Sequence, residues 1–161
     1  MKTILASVDF SLVSRDVLTR TVALARLLNA RIVVLHAVQP PIIVTDIAPL
    51  AGDTFQITAE NERRAVTSLA RLEKRLGKTG LRVDTICEQG HPVSLILTHA
   101  KRLRANYIVL GSHGHTALYD LVVGGTTSGV LKRATCPVLV IPARPKSRKR
   151  PPMKKKANSA V

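Results

Sequence analysis

Five short runs of β-branched and aliphatic residues, each separated from the next by a stretch of helical periodicity, constrain this chain more than any other feature. Ile4–Val8 (ILASV), Arg31–Val38 (RIVVLHAV), Leu81–Glu88, Tyr107–Leu110 and Pro137–Ile141 (PVLVI) read as strands. After the first, Leu18, Val22, Ala25 and Leu28 recur at helical spacing, with Ser11 or Ser14 placed to cap the helix. From Ile57 to Lys78, Ala65, Leu69, Leu72 and Leu76 line one face, and Glu62, Arg63, Arg64, Arg71, Glu73, Lys74 and Arg75 line the other. Pro92 suits the first turn of a helix running to about Leu103, because its missing N–H costs nothing there. Val130–Ala134 reads as the body of a last helix. Strict strand–helix alternation favours a parallel sheet with right-handed crossovers. The expected class is therefore α/β: one doubly wound, five-stranded parallel sheet with helices on both faces.

Composition agrees with that architecture. Hydrophobic residues make up 45% of the 161 residues, yet aromatics only 2% and Trp is absent. The core must then be aliphatic, as in parallel strands covered on both faces. Gln39–Phe55 holds Pro40, Pro41, Pro49 and Gly52 and reads as an irregular connection, either a lid or partner surface or a variable loop. Cys87 and Cys136 stand apart, in no CxxC or Cys/His cluster, so a reduced, buried pair is expected and no metal site.

No apolar run reaches the roughly 18–20 residues of a membrane span. The N-terminus reads as a strand rather than a signal peptide, so the expected location is the cytoplasm. The formal net charge is +15, and about half of it sits in Arg144, Lys146, Arg148, Lys149, Arg150, Lys154, Lys155 and Lys156, a stretch without acids. Residues 143–161 read as a basic, disordered tail, either solubilising or in nonspecific contact with a polyanion. No aromatic side chain interleaves with the basic ones, so base stacking is unsupported.

The chemistry-bearing stretch is Leu110–Leu131. Gly111 and Gly114 bracket Ser112 and His113 just beyond a predicted strand, and nine residues then precede Gly124, Gly125 and the hydroxyls Thr126, Thr127 and Ser128. Glycines let backbone N–H groups approach phosphate oxygens, and a helix opening at Gly124–Ser128 would favour an anion. Ordinary turns and a helix cap by Thr126 remain the alternative. His113-Gly114-His115 is one residue short of the HxGH motif of class I nucleotidyltransferases and follows the fourth strand where those enzymes use the first. Neither a GxxxxGK[ST] loop nor a GxGxxG after the first strand is present, and Ser94 in GHPVS lacks the flanking glycines of a nucleophile elbow.

On Gly111-x2-Gly114-x9-Gly124, the chain resembles the ATP-binding branch of the universal stress proteins. ILASVDFS, VVLHAV, GHPVSLIL, YIVLGSHGHTALYDLVVGG and CPVLVIP are similarly placed, covering roughly residues 1–142. The resemblance implies a Rossmann-like, adenine nucleotide alpha hydrolase-like domain over 1–142 that binds ATP or another adenine nucleotide, accompanied by Mg²⁺ or Mn²⁺. It implies that Asp9, with Ser7 and Val8 beside it, contacts the nucleoside; a cap on the following helix is the competing role for Asp9. Ala37 would lie against adenine and Leu110 form the floor. Gly111, His113, Gly114, Gly124, Gly125, Thr126 and Thr127 would form the phosphate loop. Gly125 departs from the family, which carries Ser or Thr there, and Thr126 offers a hydroxyl one residue later. The implied role is a stress-response or signalling protein with nucleotide as conformational effector, a homodimer through Val138–Ile141, with no catalysis beyond weak ATP hydrolysis. The alternatives are a dimer that binds no nucleotide and works through protein contacts, and a slow ATPase.

Overall fold

A computed structural model describes residues 1–39, 51–112 and 125–143, with side chains in the second helix from Thr58 onward. The elements are β1 (Lys2–Ser7), α1 (Leu12–Leu28), β2 (Ala30–Val38), α2 (Ala51–Gly77), β3 (Val83–Gln89), α3 (Pro92–Arg102), β4 (Tyr107–Gly111), α4 (Gly125–Leu131) and β5 (Val138–Ile141). All strands run parallel in the order β3-β2-β1-β4-β5.

Alternation along each strand assigns the two faces, because successive side chains leave a strand on opposite sides. Ile4 and Ala6 of β1, Ile32 and Val34 of β2 and Val109 of β4 face α1 and α2, where Val17, Leu18, Leu69, Leu72 and Leu76 cover them. Leu5, Val33, Leu35, Ile108 and Leu110 face α3 and α4, under Val93, Ile96, Ala100 and Val130. These β-branched runs are apolar at every position because both faces are buried.

The element ends follow local chemistry. Asn29 closes α1 in the left-handed conformation that asparagine tolerates, its N–H returning to the helix carbonyls. Gly90 ends β3 at φ +149°, a conformation that side chains rarely adopt, and its N–H donates to Val38 O at 2.9 Å.

Three expectations need correction. The second helix begins at Ala51 rather than Ile57, so the end of the supposed irregular connection is helical. A glycine in a first turn, as at Gly52, forfeits less than one in mid-helix, because the first N–H groups have no intrahelical partner. The last helix spans Gly125–Leu131: it opens within Gly124–Ser128 as expected, but it ends early, so only Val130 and Leu131 of the expected body Val130–Ala134 lie in it. Cys87 and Cys136 are half-buried, and they pack on opposite faces of the sheet. Residues 40–50 of the connection and 144–161 of the tail lie outside the described residues.

Candidate functional site

The chain passes from β1 to β2 on one side and reaches β4 on the other, so the sheet reverses direction of winding at β1. Open α/β sheets bind ligands at the carboxyl ends of strands flanking such a reversal. Register shows what meets there. Ser7 stands level with Leu35 of β2, and Ala6 level with Val109 of β4. The three residues Ser7, Val8 and Asp9 therefore lie between Ala37 on one side and Leu110 and Gly111 on the other.

Asp9 organises the turn into α1. Its Oδ1 accepts the Ser11 N–H at 3.0 Å and the Ser14 hydroxyl at 2.8 Å, while its own N–H donates to Ser14 Oγ at 3.3 Å. Ser11 holds the N-cap position without a side-chain cap bond, and Ser14 sits inside the helix. The carboxylate, not either serine, thus satisfies the start of the helix, as an Asx turn does. Asp9 does act as a local helix-start group, and the same bonds hold its carboxylate in one orientation.

Val8 is anchored twice to β2. Its N–H donates to Leu35 O at 3.0 Å, and its carbonyl accepts from His36 Nδ1 at 2.9 Å. A carbonyl only accepts, so the His36 proton in that bond resides on Nδ1. Phe10 follows with φ +60° and leans on the His36 ring at a centroid distance of 4.5 Å. A left-handed phenylalanine is uncommon; here it leaves the ring 41% exposed beside the crevice.

Across the crevice, β4 and β5 are tied beyond their last paired residues. Ser112 N–H donates to Ile141 O at 2.8 Å, and Ser112 Oγ accepts from Ala143 N–H at 3.0 Å. The first turn of α4 is pinned to the end of β4, because the buried Thr127 hydroxyl donates to Gly111 O at 2.7 Å. That hydroxyl has one proton and it is spent on Gly111. Thr126 is half-buried and Gly125 exposed at the helix start. A Cβ built on Gly125 meets nothing within 4 Å, so space does not dictate a glycine there.

The structure thus brings Ser7, Val8, Asp9, Ala37, Leu110, Gly111, Gly125, Thr126 and Thr127 to one end of the sheet. His113, Gly114 and Gly124 lie outside the described residues. Phe10 and His36 stand at the same end and were not among the candidate site residues. Their signals were an aromatic residue directly after a strand in an aromatic-poor chain, and the parity of His36 with Ile32 and Val34.

Elsewhere, His99 is buried between Glu88 and Arg102: its Nδ1 accepts from the Arg102 guanidinium at 2.9 Å, and its Nε2 lies 2.7 Å from Glu88 Oε2. An arginine only donates, so the neutral ring carries its proton on Nε2 and donates it to Glu88, which fastens α3 to β3. Among the described residues no group of three His, Cys, Asp or Glu side chains could hold a metal ion, and no helix is long and apolar enough to cross a membrane. Burial pushes both thiols above their ordinary value, with the Glu62 charge adding to the effect at Cys87.

The model of the universal stress protein family matches residues 1–142. A universal stress protein A homologue of Coxiella burnetii is 32% identical over 147 residues, covering 87% of this chain and 95% of its own. The structure of the universal stress protein UspA from Lactobacillus plantarum superposes with a TM-score of 0.77 at 25% identity, covering 87% of this chain and 97% of that one. A universal stress protein in complex with cAMP shares the fold, with a TM-score of 0.60 at 18% identity, over 87% of this chain and 95% of that one.

Proposed function

The chain belongs to the universal stress protein family, and from that premise we propose that it binds ATP or another adenine nucleotide across the carboxyl ends of β1, β2 and β4. The observation that carries the reading is the meeting of Asp9, Ala37, Gly111 and Thr127 at the point where the sheet reverses. A fold relative in complex with cAMP supports an adenine nucleotide as the ligand class.

In this reading each residue has a task. Asp9, oriented by Ser11 and Ser14, accepts hydrogen bonds from ribose hydroxyls, and a carboxylate already held in place loses little freedom on binding. Ala37 lies against the base, with Ser7 and Val8 beside the nucleoside and Leu110 beneath it. Gly111, His113 and Gly114, with Gly124, Gly125, Thr126 and Thr127, surround the phosphates, which bring Mg²⁺ or Mn²⁺ with them. The nucleotide acts as a conformational effector of a cytoplasmic stress-response protein that pairs through β5, whose Leu139 is 38% exposed at the sheet edge. The basic tail, residues 143–161, contacts polyanions nonspecifically.

Titration calorimetry of nucleotide-stripped protein with ATP and Mg²⁺, beside Gly114→Val, tests the proposal. Saturable heat from the parent, lost in the variant, is the expected result. No heat at millimolar ATP from folded parent would sink it.

One observation favours a second reading, a dimer that binds no nucleotide and works through protein contacts. Thr127 already spends its hydroxyl proton on Gly111 O, and Gly125 lacks the hydroxyl that the resemblance implies at that position. The same titration decides between the two.

A further inference from the structure

α1 and α2 lie on the same face of the sheet and leave a groove of about 270 Å³ between them, which adjoins the crevice only at Val8 and Phe10. Arg15 of α1 and Arg71 and Arg75 of α2 rim it. Among the described residues no carboxylate lines the groove, and none of these three guanidinium groups is held in an ion pair or hydrogen bond. The neighbouring acids of α2 are turned elsewhere: Glu60 pairs with Arg64, and Glu73 accepts from the Thr85 hydroxyl at 2.6 Å.

Three like charges gathered where the adjoining carboxylate, Asp9, is taken up by Ser11 N–H and the Ser14 hydroxyl repel one another, a cost that an anionic ligand removes. Beneath the rim, Ser11, Ser14 and Ser68 line the walls, and the buried Ser11 Oγ has no hydrogen-bond partner. An orphaned buried hydroxyl costs free energy unless something reaches it. The donor set also selects the anion. Three guanidinium forks and a hydroxyl exceed what the two oxygens of a carboxylate can accept, and they suit the three oxygens of a phosphate monoester. Val8, Leu18 and Leu72 floor the groove, and the exposed Phe10 ring stands at its end, giving apolar surface beside the charged rim.

We propose that this groove is a second ligand site, which takes a small phosphate monoester whose organic part is compact and apolar. The phosphate lies among Arg15, Arg71 and Arg75, and the apolar part rests on Leu18, Leu72 and Phe10.

Phenyl phosphate and inorganic phosphate, titrated at physiological salt into the full chain, test the assignment. Phenyl phosphate is expected to saturate one site and to bind more tightly than inorganic phosphate. Losing charge-assisted hydrogen bonds should weaken it by about tenfold or more in Arg71→Gln/Arg75→Gln, and again in Arg15→Gln on the other helix. Gly114→Val should leave it unchanged. These arginines are exposed, so their removal leaves the core intact. The assignment fails if phenyl phosphate does not saturate. It fails equally if binding survives all three arginine changes, which would locate the anion on another basic surface such as the tail. Loss in Gly114→Val alone would move the anion to the glycine loop and overturn the assignment as well.

Discussion

The two faces of the sheet are covered by helix pairs that solve the same problem in opposite ways. α3 and α4 press together: a Cβ built on Gly129 would stand 2.9 Å from Val93 Cγ2 and 3.2 Å from Cγ1, closer than side chains tolerate. α1 and α2 stand apart, burying Leu18 and Leu72 against the sheet but leaving a basic groove between their outer halves. A missing side chain closes one face, and charge repulsion among long side chains accompanies the opening of the other. The closed face packs α4 against α3, and Thr127 ties its start to the end of β4 beside the crevice. The open face offers a surface that a ligand can still complete.

The sharpest way to break this contrast is at the closed face. Gly129→Val puts branched atoms where Val93 already lies, and overpacking there should destabilise the fold by about 3 kcal/mol, read from urea unfolding. Gly125→Ser, four residues earlier in the same helix, meets open space and should change stability by less than about 0.5 kcal/mol. It also supplies a hydroxyl at the start of α4, so ATP affinity should rise under the proposed function. If both substitutions cost the same, the close approach of α3 and α4 is not what holds that face.

Next in size is the link between that helix and the sheet. Thr127→Val keeps the shape and removes the hydroxyl, leaving Gly111 O without the bond at 2.7 Å. Losing this bond to a half-buried carbonyl should cost about 1 kcal/mol in the same unfolding measurement. A loss near zero would mean that water replaces Thr127, and that α4 is held by packing alone.

On the opposite face the corresponding anchor is Asp9. Asp9→Ala removes the acceptor for both Ser11 N–H and the Ser14 hydroxyl, and loss of such a helix-start group should cost about 1 kcal/mol. Asp9→Asn retains a carbonyl oxygen for these bonds and should recover most of that stability. Under the proposed function it should still weaken nucleotide binding, which separates the structural task of Asp9 from its task at the ribose.

What the sequence disclosed follows from the range of the interactions involved. The strands were legible because burial on both faces writes an uninterrupted β-branched run, as in Ile32–Leu35. The stripe Leu69, Leu72 and Leu76 was legible because helix period repeats it. The start of α2 was not, since prolines and Gly52 signal a turn whether or not a helix begins immediately after them. The end of α4 was not legible either, since Val130, Leu131 and Ala134 keep helical spacing past its last residue, Leu131. The hydrogen bonds of Asp9 join residues only five apart, yet the choice between Ser11 and Ser14 as cap depended on a carboxylate outside the helix. The groove was invisible in principle: Arg15 and Arg71 meet only because two crossovers place their helices side by side.

The smallest expected effect tests whether the two faces also differ electrically. Cys87 packs on the α1/α2 face and Cys136 on the α3/α4 face. Burial raises both thiols above the ordinary value of 9.0, and only Cys87 also feels the negative charge of Glu62. The folded protein therefore holds these protons more tightly than the unfolded chain does. Any stability so contributed is complete below pH 9.0 and is lost as the pH rises from there through the raised folded values. Near neutral pH both thiols should alkylate with iodoacetamide more slowly than in urea-unfolded protein, because the thiolate is the reactive form. Removing the neighbouring charge with Glu62→Gln should lower the Cys87 value, accelerate its alkylation slightly and leave Cys136 unaffected. Equal acceleration at both sites would mean that the substitution loosened the whole fold, since Cys136 has the sheet between it and Glu62.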